Sequence, residues 1–348
     1  MNCCCNCFSS PYLYNIISTD TRKGDCDFCS TKDISIYTPR ELIPFFRNIL
    51  NLYELNDEFG SDIISAIEED FNNSIFSNLV QNKTELLRSI VSDELEEFEK
   101  LFTNKVSSTL KDGLHLEQSQ QIHNIWSSFK DEIRYINRFH IKNTIELPKL
   151  KKFFENESFH TLLKKGRIFY RSRISDKLGY NKSNMGNPPK EKATAGRANP
   201  KGISYLYLAD DVVTSIYEAR ATLYDYVSIG DFRLVEDVKV LNLRQPSYDP
   251  ISWSEEEAID DYIVYVPFIK TLQKELSLPI RRLDKEIDYI PTQYLSEFIK
   301  SIGFDGVEFQ SSLYSKGYNL AIFYPDKFEC INADVYEIES IDLKHKKL

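Results

Sequence analysis

Glycine is scarce in this chain, 12 residues in 348, and its absence is uneven. Between Ser61 and Leu147 there is a single glycine, Gly113, and no proline. A stretch so poor in backbone breakers is expected to be helical. Neither glycine signature of the common nucleotide folds is present. GxxxxGK[ST] and GxGxxG are both missing, which disfavours phosphate-loop hydrolysis and Rossmann dehydrogenase chemistry. No HxE precedes a PCxxC, which excludes the usual zinc deaminase. Long hydrophobic runs are lacking too. The longest falls well short of the roughly 20 residues a membrane helix needs, and no signal-peptide core is visible. A cytoplasmic protein without membrane contact is expected. Positive charge is in deficit: 43 Lys and Arg against 53 Asp and Glu leave a net charge of -10. Counterion release needs clustered cations, so a general nucleic-acid surface is not expected. A local basic pocket for a small dianion is still allowed.

What is present falls into three textures, and a multidomain protein is expected. Residues 1–36 hold six of the seven cysteines and read as a zinc-knuckle module. Residues 37–160 read as an α-helical bundle domain. Apolar residues recur there at helical spacing, as in Leu42, Phe45, Phe46, Ile49, Leu50 and Tyr53. Thr38-Pro39 marks a helix start. Residues 161–348 change character. "RIFYRSRI", "ISYLYLA", "DYVSIGDFRL", "VKVLNL" and "NLAIFY" read as strands. Helical stretches lie between them, at Asp211 to Tyr224, in parts of Ser254 to Leu276, and at Thr292 to Ile302. Strands interleaved unevenly with helices give an α+β domain.

The cysteines carry a specific spacing. Cys4-x2-Cys7 and Cys26-x2-Cys29 are two knuckles separated by 18 residues. Each turn can present two thiolates to one side of a tetrahedral ion, so structural Zn2+ is the expected cofactor. Four thiolates leave no open position, and the expected role is folding. Cys3 and Cys5 leave the register of the first knuckle open, and Cys330 reads as a small buried apolar residue.

In "RYINRFH", Arg134 and His140 stand six apart near a helix end. This resembles the HEPN superfamily of helical domains, many of them ribonucleases, in which such a pair serves acid/base and phosphate chemistry. Tyr135 replaces the polar residue usual there. The plainer reading is a solvated helix face, and the same holds for "SDELEEFEK".

The strand-rich half carries four pieces in order. They are Tyr170-Arg171 in "FYRSRI", Gly196-Arg197-x-Asn199-x-x-Gly202 leading to Leu206-Tyr207, Glu218 in "DDVVTSIYEAR", and Ser311 in "VEFQSSLYSKGYNLAIF". Together they resemble the RES family, named for an arginine, a glutamate and a serine. The resemblance spans about Leu162 to Pro325. It implies a fold similar to ADP-ribosyltransferases, NAD+ as substrate, and a toxin paired with an antitoxin or regulatory protein. Arg171, Glu218 and Ser311 take the places of the three catalytic residues, with Ser312 one register away. Arg197, Asn199, Tyr207, Tyr170, Arg173 and Asn319 are the substrate-binding candidates, the aromatic beside nicotinamide being Tyr170 or Tyr207. Ala198 departs from the bulky aromatic that often follows the loop arginine.

The chemistry suits those residues. NAD+ joins a dianionic pyrophosphate to a nicotinamide that is already cationic, so the leaving group needs no acid. One carboxylate can suffice, unlike the pair of an O-glycosidase. Arginines supply charged forks for phosphate, and Glu218 can stabilise an oxocarbenium-like transition state. The expected activity is NAD+ glycohydrolase or phosphorylase. Alternatives are a protein ADP-ribosyltransferase, a HEPN-type ribonuclease using Arg134 and His140, and a catalytically silent NAD+-binding module. The acceptor of ADP-ribose is open at this level, and so is the oligomeric state, a homo-oligomer included.

Overall fold

A computed structural model describes residues 1–111, 113–244, 248–253, 258–278 and 286–341. The chain divides into two compact units, each discontinuous in sequence: Met1–Asn124 with Ser247–Ile269, and Ile125–Pro246 with Lys270–Leu348. Ten α-helices run among the described residues: α1 Pro11–Ser18, α2 Ile43–Leu50, α3 Ile63–Asp70, α4 Lys83–Ile90, α5 Leu95–Thr103, α6 Gly113–Tyr135, α7 Leu147–Glu155, α8 Val212–Ala219, α9 Ala258–Ser277 and α10 Ile290–Ser301. None of the described helices is long and apolar enough to cross a membrane.

In the first unit a three-stranded antiparallel sheet has Ile34–Tyr37 between Cys3–Cys4 and Lys23–Gly24. Helix starts follow the expected chemistry: Ser10, Asp62 and Asn82 accept from the backbone N–H three residues on and cap α1, α3 and α4. Ser10 also donates to the buried Asp249 carboxylate at 2.6 Å. Phe8, Phe46 and Phe76 pack ring against ring at 5.8–6.3 Å. The helical expectation for this region needs one correction. Tyr53–Leu55 and Val106–Ser108 pair as an antiparallel ribbon. Tyr53 fits the helical stripe equally well because a lone apolar residue at a helix end satisfies either period.

The second unit is built on an eight-stranded sheet. Its strands are β1 His160–Leu163, β2 Ile168–Ser175, β3 Leu206–Ala209, β4 Tyr226–Leu234, β5 Val238–Asn242, β6 Gly306–Gln310, β7 Tyr318–Ile322 and β8 Phe328–Glu337. Their order is β8-β4-β2-β3-β7-β6-β5-β1, and β5-β6 is the single parallel pair. A mixed sheet with helices fits the α+β expectation. Alternation divides the faces. Leu206, Leu208, Leu320 and Ile322 join Phe169, Phe232 and Val240 in one buried core, whereas Tyr207, Phe309 and Asn319 turn to the other side and line a cleft. β1, β6 and β8 are not among the strands expected from the sequence.

The expected helix from Asp211 stops early. Arg220 adopts a left-handed conformation, φ 53°, and caps α8 at its C-terminus. Residues 254–257 of the helical expectation for Ser254 to Leu276 lie outside the described residues, and α9 begins at Ala258.

Candidate active site

The sheet has a seam between β2 and β3, whose only paired position is Tyr170 with Ala209. A cleft of about 550 Å³ opens there. Tyr170, Arg171, Arg197, Tyr207, Glu218 and Asn319 all line it.

Glu218 sits at the end of α8, whose start is fixed by Asp211. That carboxylate accepts from the Thr214 backbone N–H and from its hydroxyl at 2.5 Å. The Ser311 hydroxyl donates to Glu218 Oε1 at 2.8 Å, and Asn319 Nδ2 donates to the same oxygen at 2.7 Å. Ser311 is buried, and its Oγ also accepts from Leu313 and Tyr314 N–H at 3.3 and 3.1 Å. Its one proton and its acceptor capacity are therefore engaged. Ser311 holds Glu218 and is not set up as a nucleophile. Ser312 is exposed and makes no such bond.

Gly317 lets this arrangement close. A Cβ there would lie 1.7 Å from Thr214 Oγ1 and 2.8 Å from Thr214 Cβ. Gly317→Ala is expected to push α8 off the turn before β7 and to destabilise the protein by about 1–3 kcal/mol. Thermal denaturation of the purified variant measures it, and an unchanged midpoint would contradict the packing described.

Arg171 is half-buried beside the seam. One Nη donates to the Tyr207 carbonyl at 3.2 Å, and the buried Nε has no hydrogen-bond partner among the described residues. Burial, and after it the charge of Arg173, pull the guanidinium down to about 10. It is still cationic at neutral pH. Arg173 itself is not in the cleft lining; it donates to the Asn184 carbonyl and lies over the Tyr180 ring.

The Gly196–Gly202 loop is a folded unit. Asn199 is buried, and its Nδ2 donates to the carbonyls of Thr194, Pro200 and Ile203. Tyr207 Oη donates to Asn199 Oδ1 at 2.7 Å and accepts from Ala198 N–H at 3.0 Å. Burial pushes this phenol up to about 12. A Cβ on Gly196 would meet Asn199 Oδ1 at 2.4 Å, which accounts for the glycine. Thr292 and Gln293 on α10 donate to the Arg197 and Gly196 carbonyls and seat the loop. Arg197 donates through Nη1 to the carbonyls of Leu276 and Ser277 at the end of α9. Its guanidinium carbon is 5.3 Å from the Phe309 ring centre. Asn199 thus shapes the loop, and Arg197 lines the cleft with one nitrogen already engaged.

Ser172, Ser215, Arg220, Tyr289 and Phe309 also line the cleft and were not singled out from sequence. Ser215 stands one helical turn before Glu218, a spacing that places both on one face. Ser172 shares a face of β2 with Tyr170, two residues before it.

The other candidate clusters separate clearly. Arg134 on α6 donates to the Asp288 carbonyl at 3.4 Å, and its Nε is 3.8 Å from the Asp288 carboxylate. His140 is exposed after the helix, and among the described residues no hydrogen bond or ion pair joins it to Arg134. The four knuckle cysteines do meet. The Sγ atoms of Cys4, Cys7, Cys26 and Cys29 lie within 4.8 Å of one another, with Cys4–Cys29 at 3.4 Å and Cys7–Cys26 at 3.3 Å. Cys3 and Cys5 turn elsewhere, toward the Tyr37 carbonyl and the Asn6 side chain. Cys330 is half-buried against the sheet core and faces the Asn332 carbonyl.

The RES domain family model matches residues 168–343. A chain in the crystal structure of the M. tuberculosis MbcT-MbcA toxin-antitoxin complex is 13% identical over 55% of this chain and 92% of that one, with a TM-score of 0.32. No curated protein matches.

Proposed function

The chain belongs to the RES domain family, and on that premise we propose that it cleaves the nicotinamide–ribose bond of NAD+. The observation that carries this reading is one cleft in which Glu218, clamped by Ser311 and Asn319, faces the same space as Arg171. With Oε1 occupied by two donors, Glu218 Oε2 is the oxygen left for the substrate. It would accept from a ribose hydroxyl and stabilise positive charge at C1′ as the bond lengthens. The bonding pair moves to the pyridinium nitrogen, so nicotinamide departs neutral and takes up no proton. An oxygen of water or of phosphate then bonds C1′, and a water acceptor releases a proton. Arg171 supplies fixed charge for the pyrophosphate or ribose. Tyr170 is the aromatic we assign to nicotinamide, because the Tyr207 hydroxyl is engaged by the loop.

Purified protein, freed of any inhibitor, is expected to release nicotinamide from NAD+. An NMR time course with and without inorganic phosphate identifies the acceptor, and added proteins test transfer to a side chain. Intact NAD+ after prolonged incubation with monodisperse protein, in all three conditions, would end the proposal. A protein partner of the antitoxin kind is the corresponding proposal for regulation; co-purification from the native cell tests it.

A structural zinc on Cys4, Cys7, Cys26 and Cys29 is proposed with it. Zinc–sulfur bonds of about 2.3 Å put tetrahedral sulfurs about 3.8 Å apart, and the cluster fits with small adjustments.

A further inference from the structure

The cleft also holds a hydroxyl pair, apart from Glu218 and the two groups that clamp it. Ser172 on β2 and Ser215 on α8 both line it, with their Oγ atoms 2.6 Å apart. A third group decides which of them donates. Ser215 Oγ lies 2.7 Å from the Val212 carbonyl oxygen, and a carbonyl can only accept. The Ser215 proton points there. The Ser172 proton must then go to Ser215. Ser215 is 3% exposed, whereas Ser172 is half-buried at the cleft wall.

We propose that Ser172 is a specificity-determining residue that presents an oxygen able to accept, and unable to donate, to the substrate. It selects for a group carrying an N–H or O–H and against one that only accepts. The inference rests on the NAD+ reading of the same cleft and deepens it. Ser172 follows Arg171 on its strand, and Ser215 precedes Glu218 by one helical turn, so the pair belongs to the wall that would meet the nicotinamide riboside end. Two donors exist there: the carboxamide N–H of nicotinamide and a ribose hydroxyl. Replacing the carboxamide by a carboxylate would set lone pairs against lone pairs.

Calorimetric titration of the full-length Glu218→Gln protein, in which chemistry is suppressed, tests this with NAD+ and with nicotinic acid adenine dinucleotide. Adding Ser172→Ala is expected to weaken NAD+ binding about tenfold, the size of one net hydrogen bond. If the acid analogue is then unaffected, the carboxamide is the donor; if both ligands weaken equally, the donor is a ribose hydroxyl. Ser215→Ala supplies a second reading that leaves Ser172 in place. It frees the Ser172 proton, so preference for NAD+ over the acid analogue should shrink when the carboxamide is the donor. A purely structural hydroxyl pair would not change that preference. NAD+ affinity unaltered by Ser172→Ala overturns the inference and leaves the proposed function standing. Failure of the wild-type and variant proteins alike to bind NAD+ overturns both.

Discussion

Glu218→Gln is expected to keep its fold and most of its affinity for NAD+ while losing about 10²–10³ in turnover, or about 2.7–4 kcal/mol. The reason lies in how the carboxylate is held. Ser311 Oγ and Asn319 Nδ2 both donate to Oε1. A glutamine can place its single oxygen at that position and accept both bonds unchanged. Its amide nitrogen then occupies the Oε2 position, uncharged and able only to donate. Shape is preserved, and the charge that would oppose the developing oxocarbenium is removed. Because that charge develops only as the glycosidic bond breaks, the loss belongs to kcat and leaves ground-state binding nearly intact. Arg171→Ala is the contrasting variant. A phosphate or ribose contact is made in both states, so KM should rise. Steady-state kinetics with NAD+ and calorimetric binding separate the two effects. A folded Glu218→Gln protein turning over NAD+ within a few-fold of wild type would remove Glu218 from the chemistry.

The order of motifs made the cleft legible before any geometry was known. Arg171, Glu218 and Asn319, far apart in sequence, line one space, and Ser311 reaches it through Glu218. The strands rich in aromatic and β-branched residues were legible for the same physical reason that they form. Their alternation has to bury one face of a sheet. Strand β6, "GVEFQ", was not, because Glu308 is buried at a position that alternation reads as exposed. That carboxylate is met by Arg244 at 3.0 Å, a tertiary pairing that no local pattern announces. The Tyr53–Leu55 ribbon was hidden by its shortness.

The roles within the loop were less legible than its existence. Gly196, Arg197 and Asn199 look alike as ligand-binding residues when only their spacing is read. The structure gives Asn199 three carbonyls of its own loop and gives Arg197 the end of α9. Side-chain amides satisfy nearby carbonyls as readily as they bind substrate, and sequence spacing does not separate the two uses. The return of Ser247–Ile269 to the first compact unit likewise has no local signal, because it depends on contacts such as Ser10 with Asp249.

Removing one thiolate from the cysteine cluster is expected to have the largest effect on stability. The sulfurs of Cys4, Cys7, Cys26 and Cys29 gather a short strand, a 3-10 turn and a loop. A structural zinc in small finger peptides contributes about 10–16 kcal/mol of apparent binding energy at neutral pH, and that energy is folding energy. Cys26→Ser leaves three sulfur ligands and a poor fourth. It should lower the thermal midpoint by about 5 °C or more, given the roughly 2–4 °C per kcal/mol of domains of about 150–250 residues. Zinc content, measured by elemental analysis, should fall from one per chain toward zero in parallel. Cys5→Ser is the control. Its sulfur faces Asn6 and not the cluster, so zinc content should be retained. A strong chelator should reproduce the Cys26→Ser shift in the wild-type protein and produce no further shift in the variant. The chemistry at Glu218 is not expected to change in the fraction that remains folded, because four thiolates leave the metal no open position for a substrate. Freshly purified wild-type protein that is folded and free of metal would overturn the assignment, and the cluster would then be three buried thiols and one half-buried thiol held by packing alone.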